Sequence, residues 1–212
     1  MSKSIKPYEN SELNKKEQVT KMFDVSSGEY DILNRVISIG IDIKWRNKVV
    51  KLVADTKPNN ILDIATGTGD LAISLTGTTA NKIIGLDISD GMLEVGRQKI
   101  KSKALDGIIK MVIGDSEDLP FKDNTFDAIT VAFGVRNFMN LKKGLSEILR
   151  VLKPGGIFVI LETSVPIKTP YKQGYKLYSK FILPTIGKVF SKDRSAYKYL
   201  SESASVFLLE KN

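Results

Sequence analysis

Asp63, Gly67, Gly69 and Asp87 have the types and spacing that nucleoside chemistry calls for. They fall in Ile61-Leu62-Asp63-Ile64-Ala65-Thr66-Gly67-Thr68-Gly69-Asp70 and in Lys82-Ile83-Ile84-Gly85-Leu86-Asp87. An apolar run that breaks into close glycines, resumes as a helix and returns as a second apolar run ending in Asp reads as a βαβ unit. The glycines let the backbone turn off the strand and come close to a ligand. Asp87, twenty residues beyond Gly67, is placed to accept from both hydroxyls of a ribose. The loop alone leaves the cofactor open, because Gly67, Gly69 and Ala72 also satisfy the G-x-G-x-x-A form of the dinucleotide fingerprint. An NAD-dependent oxidoreductase is therefore the rival enzyme class.

Asp63 narrows the choice. An acid at the end of the first strand would meet an approaching pyrophosphate as a like charge, whereas a cationic ligand is favoured there. S-adenosylmethionine carries an ammonium and a sulfonium, and a cleft of carboxylates and carbonyls suits it. The loop has no Lys and is not a P-loop. No Tyr is followed four residues later by Lys, the pair a short-chain dehydrogenase needs. Ile109 to Ser116 reads as a third strand ending at Asp115 and Ser116, placed for the adenine amine. Phe126 to Gly134 reads as a fourth strand. Lys153-Pro154-Gly155-Gly156 turns a helix into a fifth strand, Ile157 to Leu161.

These elements need a core, and 212 residues with 42% hydrophobic content supply one, with no linker or repeat in view. The expected arrangement is a single domain: a helical lid over 1–57, a cofactor-binding core over 58–167, and a basic, aromatic segment over 168–212. In the lid, Glu12 to Phe23 and Asp42 to Ala54 are the clearest helices, with Asp42 as the expected N-cap of the second. With Cys 0 and His 0, thiol nucleophiles, disulfides, imidazole bases and ordinary zinc sites are excluded, and no metal is expected. No apolar run spans a bilayer and no signal peptide is recognisable, so a cytoplasmic protein is expected.

Charge is concentrated late in the chain. Between Lys168 and Leu200 eight basic residues face one acid, which accounts for +7 of the formal +8. Lys172, Lys176 and Lys180 recur every fourth residue among Tyr171, Tyr175, Leu177, Tyr178 and Phe181, a composition that suits an anionic membrane surface. Nucleic acid is the other partner such a patch brings to mind. It is disfavoured because no RNA-binding module or stacking array is recognisable.

Beyond the glycine loop, several blocks resemble the S-adenosylmethionine-dependent C-methyltransferases of menaquinone and ubiquinone synthesis. The similarity runs through Phe23-Asp24-Val25, Tyr30-Asp31-Ile32-Leu33-Asn34, Ser38 to Arg46, Gly114 to Phe121 and Asp123 to Asp127. Its most specific parts are Phe133-Gly134-Val135-Arg136-Asn137 and Tyr197 to Ser203. The resemblance implies a Rossmann-like class I methyltransferase fold, a parallel five-stranded core with helices on both faces. It implies cofactor positions at Thr68, Asp87, Asp115, Ser116 and Ala132, beside Asp63, Gly67 and Gly69 from the reading above. On this reading Arg136 and Asn137 are the catalytic candidates, at the rim beyond the fourth strand. Arg136 would stabilise a phenolate and Asn137 would hold the second oxygen. Tyr30, Tyr175 and Tyr178 are the substrate-binding candidates.

The implied reaction is C-methylation of a polyprenyl quinol, with demethylmenaquinol favoured over a methoxy-polyprenyl-benzoquinol. An RNA methyltransferase and the NAD-dependent oxidoreductase are the readings from other classes. A quinol that lives in lipid implies peripheral attachment to the inner face of the membrane. The chain ends soon after Ser203, where relatives continue into an antiparallel hairpin. The fifth strand is then expected as a bare edge through which the chain could dimerise.

Overall fold

The computed structural model describes residues 6–8 and 11–163, together with 169, 170, 173, 174, 177, 178 and 199. The chain divides into two compact units, one formed by Asp42–Glu162 and the other by Met1–Ile41 with Thr163–Asn212.

The larger unit is a parallel sheet with strands β1 (Asn60–Ile64), β2 (Lys82–Asp87), β3 (Ile109–Ile113), β4 (Phe126–Ala132) and β5 (Leu152–Leu161). Their order is β3-β2-β1-β4-β5, so the chain leaves β1 in one direction through β2 and β3 and resumes on its other side with β4. The central strands are apolar because both faces are covered: Ile61, Leu62, Ile64, Ala128, Ile129 and Val131 are all fully buried. Register is direct, Asp63 lying beside Gly85 on one side and Thr130 on the other.

Helices α3 (Ile41–Ala54), α4 (Asp70–Ser74), α5 (Asp90–Ser102) and α6 (Leu141–Val151) connect or cover these strands. Helix α5 starts where Ser89 accepts from the Met92 amide, and it buries Met92, Leu93, Gly96 and Ile100 at helical spacing. Asn140 caps α6 in the same way. Val49 and Val53 of α3 lie in the sheet core beside Ile61 and Leu75. This helix, grouped above with a lid, thus belongs to the sheet unit from Asp42 onward.

Three local expectations are corrected. Asp42 is not a cap: α3 begins at Ile41, after Gly40 in the left-handed region, and Asp42 sits in its first turn. There it is buried and bonds Arg46 one turn on at 2.7 Å. The fifth strand begins at Leu152, not Ile157, because Leu152 already pairs with Phe126. Lys153-Pro154-Gly155-Gly156 then forms an irregularity before Ile157 pairs with Ala128. The third and fourth strands end at Ile113 and Ala132, short of Ser116 and Gly134, where the backbone leaves the ladder to form site loops.

In the other unit, α1 (Lys15–Ser26) opens with a capping box between Asn14 and Glu17, and α2 (Tyr30–Ile37) follows. Val19 and Met22 pack with Tyr199, with Tyr8 and Phe23 against them. Eight predicted basic positions (Lys168, Lys172, Lys176, Lys180, Lys188, Lys192, Arg194 and Lys198) lie outside the described residues, as do Tyr171, Tyr175 and Phe181.

Helix α6 is tied to the segment after β3 by charge. Arg150 donates to both Glu147 oxygens, at 2.8 and 2.7 Å, and to the carbonyls of Leu119 and Phe121. Hydrogen bonding from Arg150 holds the Glu147 carboxyl down at about 2, below its ordinary 4.5. Ionised Glu147 therefore stabilises the fold above its unfolded value, and that contribution is lost as pH falls from about 4.5 through about 2. Glu147→Gln should cost about 1–3 kcal/mol near neutral pH. Urea unfolding at successive pH values should show the gap from wild type shrinking below about 4.5.

Candidate active site

At the carboxyl end of β1 the chain passes through Ala65, Gly67 and Gly69, whose φ angles of 53°, 56° and 80° are left-handed. Gly67 and Gly69 adopt them without the Cβ clash that other residues meet. The turn is held from outside. Thr66 donates its amide to the Leu86 carbonyl at 3.1 Å, and Gly67 donates its amide to Asp87 Oδ2 at 2.8 Å. The other Asp87 oxygen accepts from the Ser89 amide at 2.9 Å. Asp87 is thus oriented by two main-chain donors. A carboxylate offers about four acceptor sites, the kind of group that accepts from the hydroxyls of a ribose.

The neighbouring strand ends complete a rim. Gly114 donates its amide to the Asp87 carbonyl at 2.9 Å, which sets the ends of β2 and β3 side by side. Asp115 follows, half-buried, its Oδ1 accepting from the Glu117 amide at 3.0 Å, with Ser116 half-buried beside it. Beyond β4 come Ala132, Phe133 and Gly134. A Cβ on Gly134 would stand 2.4 Å from the Ala65 Cβ, so glycine is what lets the end of β4 close on the turn after β1. Asp63, Gly67, Thr68, Gly69, Asp87, Asp115, Ser116 and Ala132 are therefore gathered at one end of the sheet, where open α/β folds bind ligands.

Within that group Asp63 and Thr68 lie deeper than their neighbours. Asp63 is 1% exposed, beneath the turn. Its two oxygens accept from the hydroxyls of Thr66 and Thr130, each at 2.6 Å. Burial pushes its carboxyl up to about 6 and the charge of Asp87 adds to this, against the hydroxyl bonds and Arg46, which lower it. Thr68 is 2% exposed, and its hydroxyl accepts from Lys99 Nζ at 3.1 Å.

The cations next to the turn are bound to other acids. Lys99 donates to Asp70 Oδ1, and Arg46 lies 3.4 Å from Asp70 Oδ2 while bonding Asp42. What the strand ends present is carboxylates, hydroxyls and main-chain groups. That donor set fits a nucleoside bearing positive charge, and Asp87 with Asp115 and Ser116 are the residues that would hold it.

Arg136 and Asn137 lie in a 3-10 turn, Val135–Asn137, directly after β4. Arg136 forms an ion pair with Glu162 just beyond β5; their side chains are 7% and 10% exposed. Arg136 Nε has no hydrogen-bond partner among the described residues. The loop is clamped from the β3 side by Glu117, whose Oε1 accepts from the amides of Met139 and Asn140 at 2.6 and 2.9 Å.

Tyr30 and Tyr178 belong to the other unit. Tyr30 packs edge-on against Phe23 at 5.8 Å, and the Tyr178 hydroxyl donates to the Ile37 carbonyl at 2.5 Å. Tyr175 lies outside the described residues.

Sequence reasoning missed Glu162, Glu117, Thr130, Lys99 and Gly96. Glu162 had a signal, since it is another acid directly after a strand. Gly96 had one too, a glycine inside a helix, where a Cβ would stand 3.2 Å from the Thr68 carbonyl.

The raised Asp63 carboxyl has a consequence for stability. With its folded value near 6 against an ordinary 3.8, the fold prefers it protonated, so its stabilising contribution is complete below 3.8 and is lost as pH rises to about 6. The stability of wild type relative to Asp63→Asn should therefore fall across that interval and level off above it. Urea titrations at intervals of half a pH unit check this, and a pH-independent difference would contradict it.

Known proteins resemble this chain in sequence and in fold. The pattern that defines the ubiE/COQ5 methyltransferase family matches residues 11–211. The demethylmenaquinone methyltransferase of Bacteroides fragilis is 50% identical over 204 residues, 96% of this chain and 83% of that protein. The corresponding enzyme of Porphyromonas gingivalis is 45% identical, covering 94% of this chain and 82% of its own length. The ubiquinone/menaquinone biosynthesis C-methyltransferase UbiE of Geotalea daltonii is 46% identical, covering 91% and 83%. Among solved structures, a methyltransferase-like protein of Bacillus halodurans superposes with a TM-score of 0.54 at 26% identity, covering 74% of this chain and 67% of that one. The chain is a methyltransferase with S-adenosylmethionine as its methyl donor, and it belongs to the ubiE/COQ5 methyltransferase family.

Proposed function

We propose that the chain methylates a ring carbon of a polyprenyl quinol, converting demethylmenaquinol to menaquinol. The observation that carries this is the identity of 50% and 45%, over nearly the whole chain, to proteins named demethylmenaquinone methyltransferase. A benzoquinol of ubiquinone synthesis is the second reading, favoured by the relatives whose name covers both pathways.

When bound, S-adenosylmethionine supplies an electrophilic methyl group on a sulfonium. The residues of the chain do the rest. Asp87 accepts the ribose hydroxyls, with its orientation set in advance by Gly67 and Ser89, while Asp115 and Ser116 hold the base. Gly67 and Gly69 allow the main chain close approach. Arg136 is aimed by Glu162 and brings a guanidinium to the rim, so it favours the ionised form of a ring hydroxyl beside it. That ionisation makes the adjacent carbon nucleophilic. Asn137 holds the second ring oxygen. No imidazole or thiol is available, so the proton lost from the methylated carbon leaves to a carboxylate or to water.

Support for a membrane setting comes from the substrate, whose prenyl tail partitions into lipid. No helix among the described residues is long and apolar enough to cross a membrane. On the lipid solubility of that substrate we place the enzyme as a cytoplasmic protein attached peripherally to the inner leaflet.

The test is methylation of short-chain demethylmenaquinol and short-chain methoxybenzoquinol with labelled donor. Faster turnover of the naphthoquinol is expected, and no turnover of either would remove the reading. Arg136→Ala should lower turnover about a hundredfold while donor affinity changes little, and Arg136→Lys should recover only part of it. Asp87→Ala should show the opposite split, with donor affinity weakened tenfold or more.

A further inference from the structure

The outward side of α3 carries a pattern that methyl transfer does not use. Ile41, Trp45, Lys48 and Leu52, at successive spacings of four, three and four, fall on one strip of the helix. Ile41, Trp45 and Leu52 are 44%, 39% and 46% exposed, and Lys48 is exposed with them. Lys44 and Lys51, both exposed, stand along the edge of the strip. The opposite side of the helix is spoken for. Val49 and Val53 are in the sheet core, and the only acid of the helix, Asp42, is buried against Arg46. The outward face thus offers three ammonium groups, one indole and aliphatic side chains, with no carboxylate. Asp55, an exposed acid, comes only after the helix has ended.

We propose that this face of α3 is a docking surface for an anionic lipid bilayer. Lysine stems lie along apolar surface while their ammonium groups reach lipid phosphates, and Trp, Ile and Leu suit the boundary between headgroups and acyl chains. Nucleic acid would engage the lysines and leave Ile41 and Leu52 in water. A second copy of the face would bring like charges together. The position also serves the reaction. The Trp45 ring lies 6.3 Å from that of Phe133, which directly precedes Gly134 and the turn bearing Arg136. The inference rests on the lipid-soluble acceptor of the proposed function and names the surface by which that acceptor's membrane is met.

Trp45 is the only tryptophan in the chain, so its fluorescence reports on this face alone. The experiment titrates the full chain with phosphatidylcholine vesicles containing phosphatidylglycerol, with and without brominated acyl chains. The expected result is a blue shift, quenching by the brominated lipid, and loss of both at about 0.5 M salt. A triple variant, Lys44→Glu with Lys48→Glu and Lys51→Glu, should bind vesicles about a hundredfold more weakly. Leu52→Glu should also weaken binding. Both should keep the wild-type melting temperature and the wild-type rate on a short-chain, water-soluble quinol. Vesicles that bind the protein without quenching Trp45, or that bind the triple variant as tightly as wild type, would overturn the surface. So would quenching by single-stranded RNA but not by vesicles. If Trp45 is quenched as expected while neither short-chain quinol is methylated, the acceptor reading fails and the docking surface stands.

Discussion

A carboxyl group buried beneath a turn holds the catalytic end of this sheet together. Asp63 on β1 accepts from Thr66 in the glycine turn and from Thr130 on β4, so one side chain joins the central strand to the loop above it and to its neighbour. Burying an acid this deeply costs free energy unless its oxygens are satisfied, and the two short hydroxyl bonds are what make the site tolerable. The turn is in turn held by Asp87, through the amide of Gly67. The two acids raise each other's cost, which leaves the loop between them in a negative field.

That field explains how charge is sorted around the site. Among the described residues the nearby cations are paired with acids: Lys99 with Asp70, Arg46 with Asp42 and Asp70, and Arg136 with Glu162 just beyond β5. A phosphate would find carboxylates and no cation directed at it, whereas a sulfonium and an ammonium find the complement they need. On the proposed reading the methyl donor is selected as much by where positive charge has been withdrawn as by where negative charge remains. Arg136 is paired with Glu162 while its Nε has no hydrogen-bond partner among the described residues, so on the proposed reading the ion pair orients the guanidinium and leaves it a donor to use.

Most of the fold could be read from the chain because it is written locally. Apolar runs with both faces buried, glycines at left-handed positions and an acid near the end of β1 and at the end of β2 are all signals within a few residues. The boundaries were less legible. Leu152 joins β5 only because Phe126 is there to pair with it, and Asp42 leaves the cap position for a buried ion pair with Arg46. No local rule predicts either choice.

The site divides along the same line. Sequence alone determined which residues stand at the strand ends, because a strand that stops at Asp and turns through glycine has few other foldings. It also determined the chemistry that is absent, since a chain with Cys 0 and His 0 has no thiol or imidazole to offer. Tertiary structure decided depth and partnership. Thr130 reaches Asp63 across 67 positions, Glu162 reaches Arg136 across 26, and Glu117 reaches the amides of Met139 and Asn140 across 22 and 23. Contacts between residues so far apart follow from strand order and register, which are settled by packing of the whole sheet and carry no signature in the neighbouring residues.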